Sequence, residues 1–378
     1  MITLKGMTWD HPRGYDPMIA TSNEFAKKYL GKVKLDWEKR SLQAFADRPI
    51  QDMTDVFDLI VIDYPHTGEV AAKGLLTKLD IPIYHKQLEN LRNETVGMSC
   101  NSYKIHGHQW ALPIDAATQV AAYRRDLIEN LPVSWNELIE LTKNKKVLWP
   151  LKPVHAISSF YSICNNIGDT FDPLNKDFVT KEQGIKTLEM MRLVADLLSK
   201  ECLSMDPIIV AEEMTESNNI YYCPYLYGFS NYSRDGFRKN TLIYTDVMNL
   251  SGKGPAGTHL GGTGIAVSNQ SKHKDYAIEY AYWIASSECQ KNLFYHSGGQ
   301  PGNSLAWENN IINQETNNFF INTRETLETS WVRPRHNGYM NFQDDAGNII
   351  NEFLYKYTDE NKVYEKLQLE FKNSFVDE

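Results

Sequence analysis

The sequence predicts an α/β fold in which helices cover mainly parallel, doubly wound sheets shared between two lobes. Three observations predict it. The run FDLIVID at 57–63 is almost continuously apolar, the signature of a strand buried on both faces of a parallel sheet. Short runs of this kind alternate with segments of helical period, the order that winds such a sheet. The chain of 378 residues also exceeds what one hydrophobic core ordinarily supports.

In chain order, residues 4–9 and 33–37 read as strands, and 17–29 as a helix with Ile19, Phe25 and Ala26 on its apolar face. A second helical pattern at 42–45 precedes the strand at 57–63. The segment GHQWALPID at 107–115 leads into AYRRDLI at 122–128, and PVSWNEL at 132–138 opens a helix. VLWPLKPVH at 147–155 precedes another helix, a long helix covers 181–200, and IYYCPYLYG at 220–228 is a strand. Strand, amphipathic helix and turn then follow one another as GGTGIAVSN at 261–269, YAIEYAYWIAS at 276–286 and HSGGQPGNS at 296–304. The helix among them carries Ala277, Tyr280, Ala281, Ile284 and Ala285 at helical spacing. Residues from Ile311 onward read as helical, and no segment repeats.

Taken together, the 107–115, 122–128 and 132–138 segments and the run from Gly261 to Trp307 resemble the extracellular solute-binding proteins of ABC importers, in the broad group (family 1) that contains maltose-binding protein. The resemblance spans nearly the whole chain. It implies the class II periplasmic-binding fold, two lobes whose sheets are joined by hinge strands. Lobe one would comprise 1–112 plus 260–308, and lobe two 113–259 plus 309–378. The strand at 109–114 would be a hinge, with Asp115 at the crossing. The resemblance also implies a monomer that binds a small molecule for an ABC permease and needs no cofactor.

Composition excludes several other classes. A net charge of −9 without any dense Lys/Arg block argues against nucleic acid. No apolar run approaches the roughly 20 residues that span a bilayer. The N-terminal MITLKG reads as strand and not as a secretion leader, which predicts either a periplasmic protein whose leader has been removed or a cytoplasmic one. Cys100, Cys164, Cys202, Cys223 and Cys289 are odd in number and lack CxxC spacing, so neither a disulfide framework nor a zinc site is expected, and free thiols tilt the balance towards the cytoplasm.

Ligands of doubly wound sheets collect where strands end and helices begin. Two such loops stand out: WDHPRGYD at 9–16, holding Trp9, Asp10, His11 and Arg13, and DYPHTG at 63–68, holding Asp63, Tyr64 and His66. A cation, a histidine and helix amides facing one point suit an anionic group. Equally, Arg13 could clamp Asp10 or Asp16. Trp149, Tyr225, Tyr227 and Trp307 add flat rings that suit sugar faces or quaternary amines. His155, Asp115, Arg234 and Gln300 complete the candidate ligand set, with Arg234 expected to face Arg13 across the cleft.

Two functions follow. The first is a binding protein that closes on a small polar or anionic molecule, a sugar or organic acid, with no metal. The second is a cytoplasmic hydrolase or lyase on the same scaffold. It would use Asp63 with His66 and Asp10 with His11 as acid and base, or Cys100 as nucleophile with His106 or His108 as base.

Overall fold

A computed structural model describes residues 1–41, 50–168, 178–252, 257–356 and 358–375. The strands are β1 (Ile2–Trp9), β2 (Val33–Arg40), β3 (Leu59–Ile62), β4 (Lys104–Ile105), β5 (His108–Gln109), β6 (Leu112–Tyr123), β7 (Tyr222–Tyr227), β8 (Ile243–Thr245) and β9 (Leu260–Val267). The main sheet runs β2-β1-β3-β9-β6-β7, with β8 also on β6. β1 lies parallel to both β2 and β3, and β9 enters antiparallel beside β3. This is the predicted α/β architecture, though its second half is antiparallel.

The long strand β6 joins two sheets. Its first half pairs with β9 from Leu112↔Ile265 to Thr118↔Leu260, and its second half pairs with β7 and β8. The change of partner falls between Thr118 and Gln119. A register shift between Pro113 and Asp115 interrupts the β6–β9 ladder, the local kink a bulge produces. Gly262 on β9 has φ +100, and a Cβ there would stand 2.3 Å from the Asp115 carbonyl. Only glycine allows β9 to run this close to β6.

Helices cover both sheets. The helix Lys274–Ala285 buries the five residues whose spacing predicted it, and its Tyr280 hydroxyl meets the Thr21 hydroxyl at 2.7 Å. The helix Tyr339–Tyr355 lies against Pro153–Ile167, with Gly347 facing the Pro153 carbonyl at a distance no Cβ would permit. The first helix spans Pro12–Lys28, five residues earlier than its apolar stripe suggests, so Pro17 sits inside it rather than in its first turn. The helix at 181 ends at Ala195. The helical pattern at 42–45 lies outside the described residues. No helix among the described residues is long and apolar enough to cross a membrane.

Candidate functional site

Three helices begin at one cavity: Pro12–Lys28, Pro153–Ile167 and Pro207–Glu216. Each carries proline in its first turn, where the missing N–H costs nothing. Asp206 caps the third helix, its Oδ1 accepting from the Ile208 and Ile209 amides at 3.0 Å. The amide of Lys152 donates to the Met205 carbonyl, which ties the second and third helix starts together. Their N-terminal ends bring a positive field to the cavity.

The cavity holds about 370 Å³, towards the lower end of the roughly 300–1,000 Å³ usual for ligand pockets. Trp9, Arg13, Ser41 and Asp63 line one side. Lys152, His155, Ser158, Asp206 and Tyr227 line the other, Phe229 lies against the Arg13 guanidinium with 4.6 Å to its ring centre, and Asp115, Ala117, Gly261 to Thr263 and Arg333 complete the lining.

Two buried ion pairs dominate the electrostatics. Arg13 donates from Nε and Nη2 to both Asp115 oxygens at 2.7 and 2.6 Å, and from Nη1 to the Gly228 carbonyl at 2.8 Å. Burial pushes the Asp115 carboxyl up, and Arg13 opposes that shift. Arg333 donates to both Asp63 oxygens, from Nη1 to Gln343 Oε1, and from Nε to the Tyr64 hydroxyl at 2.9 Å. Burial works against the Arg333 charge, yet Asp63 and the surrounding tyrosines outweigh it and hold that charge firmly. A pair is tolerated in an interior when it is bidentate and hydrogen-bonded, as Arg13–Asp115 is; Arg333 reaches the partly exposed Asp63 through Nη2 alone and spends its other nitrogens on Gln343 and Tyr64.

Three lining cations, Arg13, Lys152 and Arg333, thus meet three carboxylates, Asp63, Asp115 and Asp206, and the formal charge cancels. His155 adds none, since burial pushes its imidazole down to about 4. Its Nδ1 has no hydrogen-bond partner.

Of the residues singled out in the sequence, Trp9, Arg13, Asp63, Asp115, His155 and Tyr227 line this cavity. The others do not. Asp10 is exposed and pairs with Lys39, so neither it nor Asp16 holds Arg13. His11 stacks on Trp9 and caps the first helix by accepting from the Arg13 amide; burial, then Arg13, push it down to about 4. Tyr64 is fully buried and orients Arg333. His66 is buried without a partner for either ring nitrogen, also pushed down by burial to about 4.

Trp149 and Tyr225 pack together in the core, 5.7 Å between ring centres, and Trp307 packs on Phe320. Arg234 lies over the Tyr295 ring and donates to the Tyr295 carbonyl, so it does not oppose Arg13 across the cavity. Gln300 accepts from the Ser230 amide and donates to the Ala116 and Gly228 carbonyls, a structural knot beside the crossing strand.

Cys100 is fully buried and burial pushes its thiol up to about 12, which leaves no thiolate for attack. His106 is exposed, and His108 is held by Asp80. Among the described residues no group of three His, Cys, Asp or Glu side chains could hold a metal.

Sequence reasoning missed Lys152, Ser158, Asp206, Phe229 and Arg333. The Asp206-Pro207 pair is a helix-start signature that could have flagged its position. Nothing around Arg333 could have.

The fold is the two-lobed architecture that solved ABC-transporter solute-binding proteins of the maltose-binding type share. No family model matches the sequence. Among solved structures, the chain is similar to a solute-binding protein from Agrobacterium radiobacter K84 in complex with ribitol, at 19% identity and a TM-score of 0.81, covering 99% of each chain. It is also similar to maltose-bound MalE3 of T. maritima, at 14% identity and a TM-score of 0.79 over 99% of this chain and 100% of that one. A solute-binding protein of Thermotoga lettingae bound with α-D-tagatose matches at 14% identity, a TM-score of 0.79 and the same coverage.

Proposed function

We propose that the chain is a solute-binding protein that holds a small, neutral, polyhydroxylated molecule, a sugar or sugar alcohol, between its two lobes for an ABC importer. The observation that carries this reading is the charge balance of the seam cavity. Arg13, which suggested an anionic ligand, already has its donors directed at Asp115 and Gly228. His11 and His66 are neutral near pH 7 and lie outside the cavity. An organic acid would therefore have to give up its hydration for a site whose formal side-chain charges already balance, with only the helix N-termini to favour it. A neutral polyol loses less, and its hydroxyls can use donors and acceptors alike.

The aromatic surfaces of Trp9, Tyr227 and Phe229 suit the apolar faces of such a ligand. The ribitol, tagatose and maltose carried by the similar structures support the same class. Lobes divided at 1–112 plus 260–308 and 113–259 plus 309–378 would close by hinge motion about β6 and β9 when the ligand touches both. The protein would act outside the cytoplasmic membrane as a monomer.

Calorimetric titration with ribitol, D-tagatose and maltose, alongside ribonate and maltobionate, tests the reading. Saturable binding of at least one neutral compound in preference to its acid is expected. Binding of acids alone would overturn it.

The enzymatic alternative has less behind it: Cys100 is protonated and buried, and His11 and His66 do not line the seam cavity.

A further inference from the structure

Beyond ligand class, the cavity distinguishes charges that are spent from charges that are available. Arg13 and Asp115 satisfy each other, as do Arg333 and Asp63. Lys152 and Asp206 do not. Among the described residues Lys152 makes no ion pair or side-chain hydrogen bond, and Asp206 commits only Oδ1, to its own helix cap. Both line the same wall, at adjacent helix starts joined through the Lys152 amide and the Met205 carbonyl. Both also act electrostatically on His155, whose unpartnered Nδ1 lies in that wall.

We propose that Lys152 and Asp206, and not the arginines, read the ligand, and that they select neighbouring hydroxyl groups over an acidic or an amino group in the same place. The proposal rests on the polyol reading above. A vicinal diol satisfies both charges at once: one hydroxyl oxygen accepts from Lys152 Nζ while its neighbour donates to Asp206 Oδ2, each bond charge-assisted. A carboxylate at this point would gain Lys152 but meet Asp206. An ammonium would gain Asp206 but meet Lys152. His155 Nδ1, uncharged at neutral pH, supplies a third polar contact without disturbing the balance.

The chemistry of the cap makes a clean experiment available. Asparagine caps helices as well as aspartate does, so Asp206→Asn removes the charge and keeps the Ile208 and Ile209 bonds. Lys152→Met keeps the stem and removes the ammonium. Lys39→Met, at the exposed Lys39–Asp10 pair outside the cavity, controls for loss of a charge as such. The probes are ribitol, D-tagatose and maltose, with ribonate and maltobionate as the acids, titrated by calorimetry into the wild type and each variant, with melting curves to show that all remain folded.

Asp206→Asn and Lys152→Met should each weaken the best-bound neutral compound by about tenfold or more, while Lys39→Met leaves it unchanged. Relative affinity for the corresponding acid should rise in Asp206→Asn and fall in Lys152→Met. Wild-type binding retained within twofold in both cavity variants overturns the proposal and leaves the polyol reading standing. A wild type that binds none of the neutral probes overturns the polyol reading itself.

Discussion

Arg13 shows how a residue can be noticed for a sound reason and still have another role. Its place at a strand end beside a histidine is visible in the sequence, but its partner lies 102 residues away on β6, and only packing brings the two together. Removing one member of a buried pair leaves the other charge unsolvated, which costs about 3–5 kcal/mol. Arg13→Met should lose stability of that order in urea unfolding, and the double variant Arg13→Met, Asp115→Leu should recover part of it. Equal losses in the single and double variants would show that the pair is not coupled.

Burial also sets the pH response, since His11, His66, His155 and His336 are pushed down to about 4 and His259 well below its ordinary value. Unfolded histidine takes up a proton near pH 6.5, whereas these resist until about 4. Between those values the unfolded state binds more protons, so stability is complete above 6.5 and falls as the pH drops towards 4. Melting temperatures measured from pH 7 to 5 should decline, and His66→Leu should flatten the decline. A flat profile in the wild type would contradict this.

Elements were more legible than partners. Residues 261–269 announce a strand by their apolar run, and β9 occupies Leu260–Val267. The helix at 276 declares itself through its apolar spacing because one face is buried against the sheet and the other is not. The start of the first helix was misplaced because its first turn, with Pro12, Arg13 and Gly14, has polar and glycine residues where an apolar stripe would be. In the folded chain Arg13 lines the cavity, Gly14 lies against Trp9 and Pro12 is exposed, so none of them joins a continuous core. β8 is three residues long and carries no pattern of its own.

At this scale Gly262 is the most constrained position in the crossing strands. Gly262→Ala would force a left-handed backbone angle on alanine and drive its Cβ into the Asp115 carbonyl. A loss of about 1–3 kcal/mol is expected from the strain alone, read by urea unfolding, and an unaltered midpoint would show that β9 can move away from β6.

For the molecule as a whole, two lobes meeting at a seam could be argued from chain length and from the order of landmarks, because those depend on topology. The seam's chemistry could not, because Lys152, Asp206 and Arg333 converge from distant segments. The buried cysteines illustrate the same limit. Their number suggests a reducing compartment, yet burial pushes all five thiols up and shields them, so they fit an oxidising exterior as well. Closure on a ligand should lower the radius of gyration measured by small-angle scattering when the best-bound polyol is added, and an unchanged value would exclude hinge motion of the lobes.

The central claim is that the seam cavity receives a neutral polyhydroxylated ligand. A crystal structure of the chain grown with its best-bound sugar or sugar alcohol tests this most directly. The account predicts ligand density between Trp9 and the Lys152–Asp206 wall, with both Arg–Asp pairs intact. Ligand bound elsewhere on the molecule, or seated by displacing Asp115 from Arg13, would contradict it.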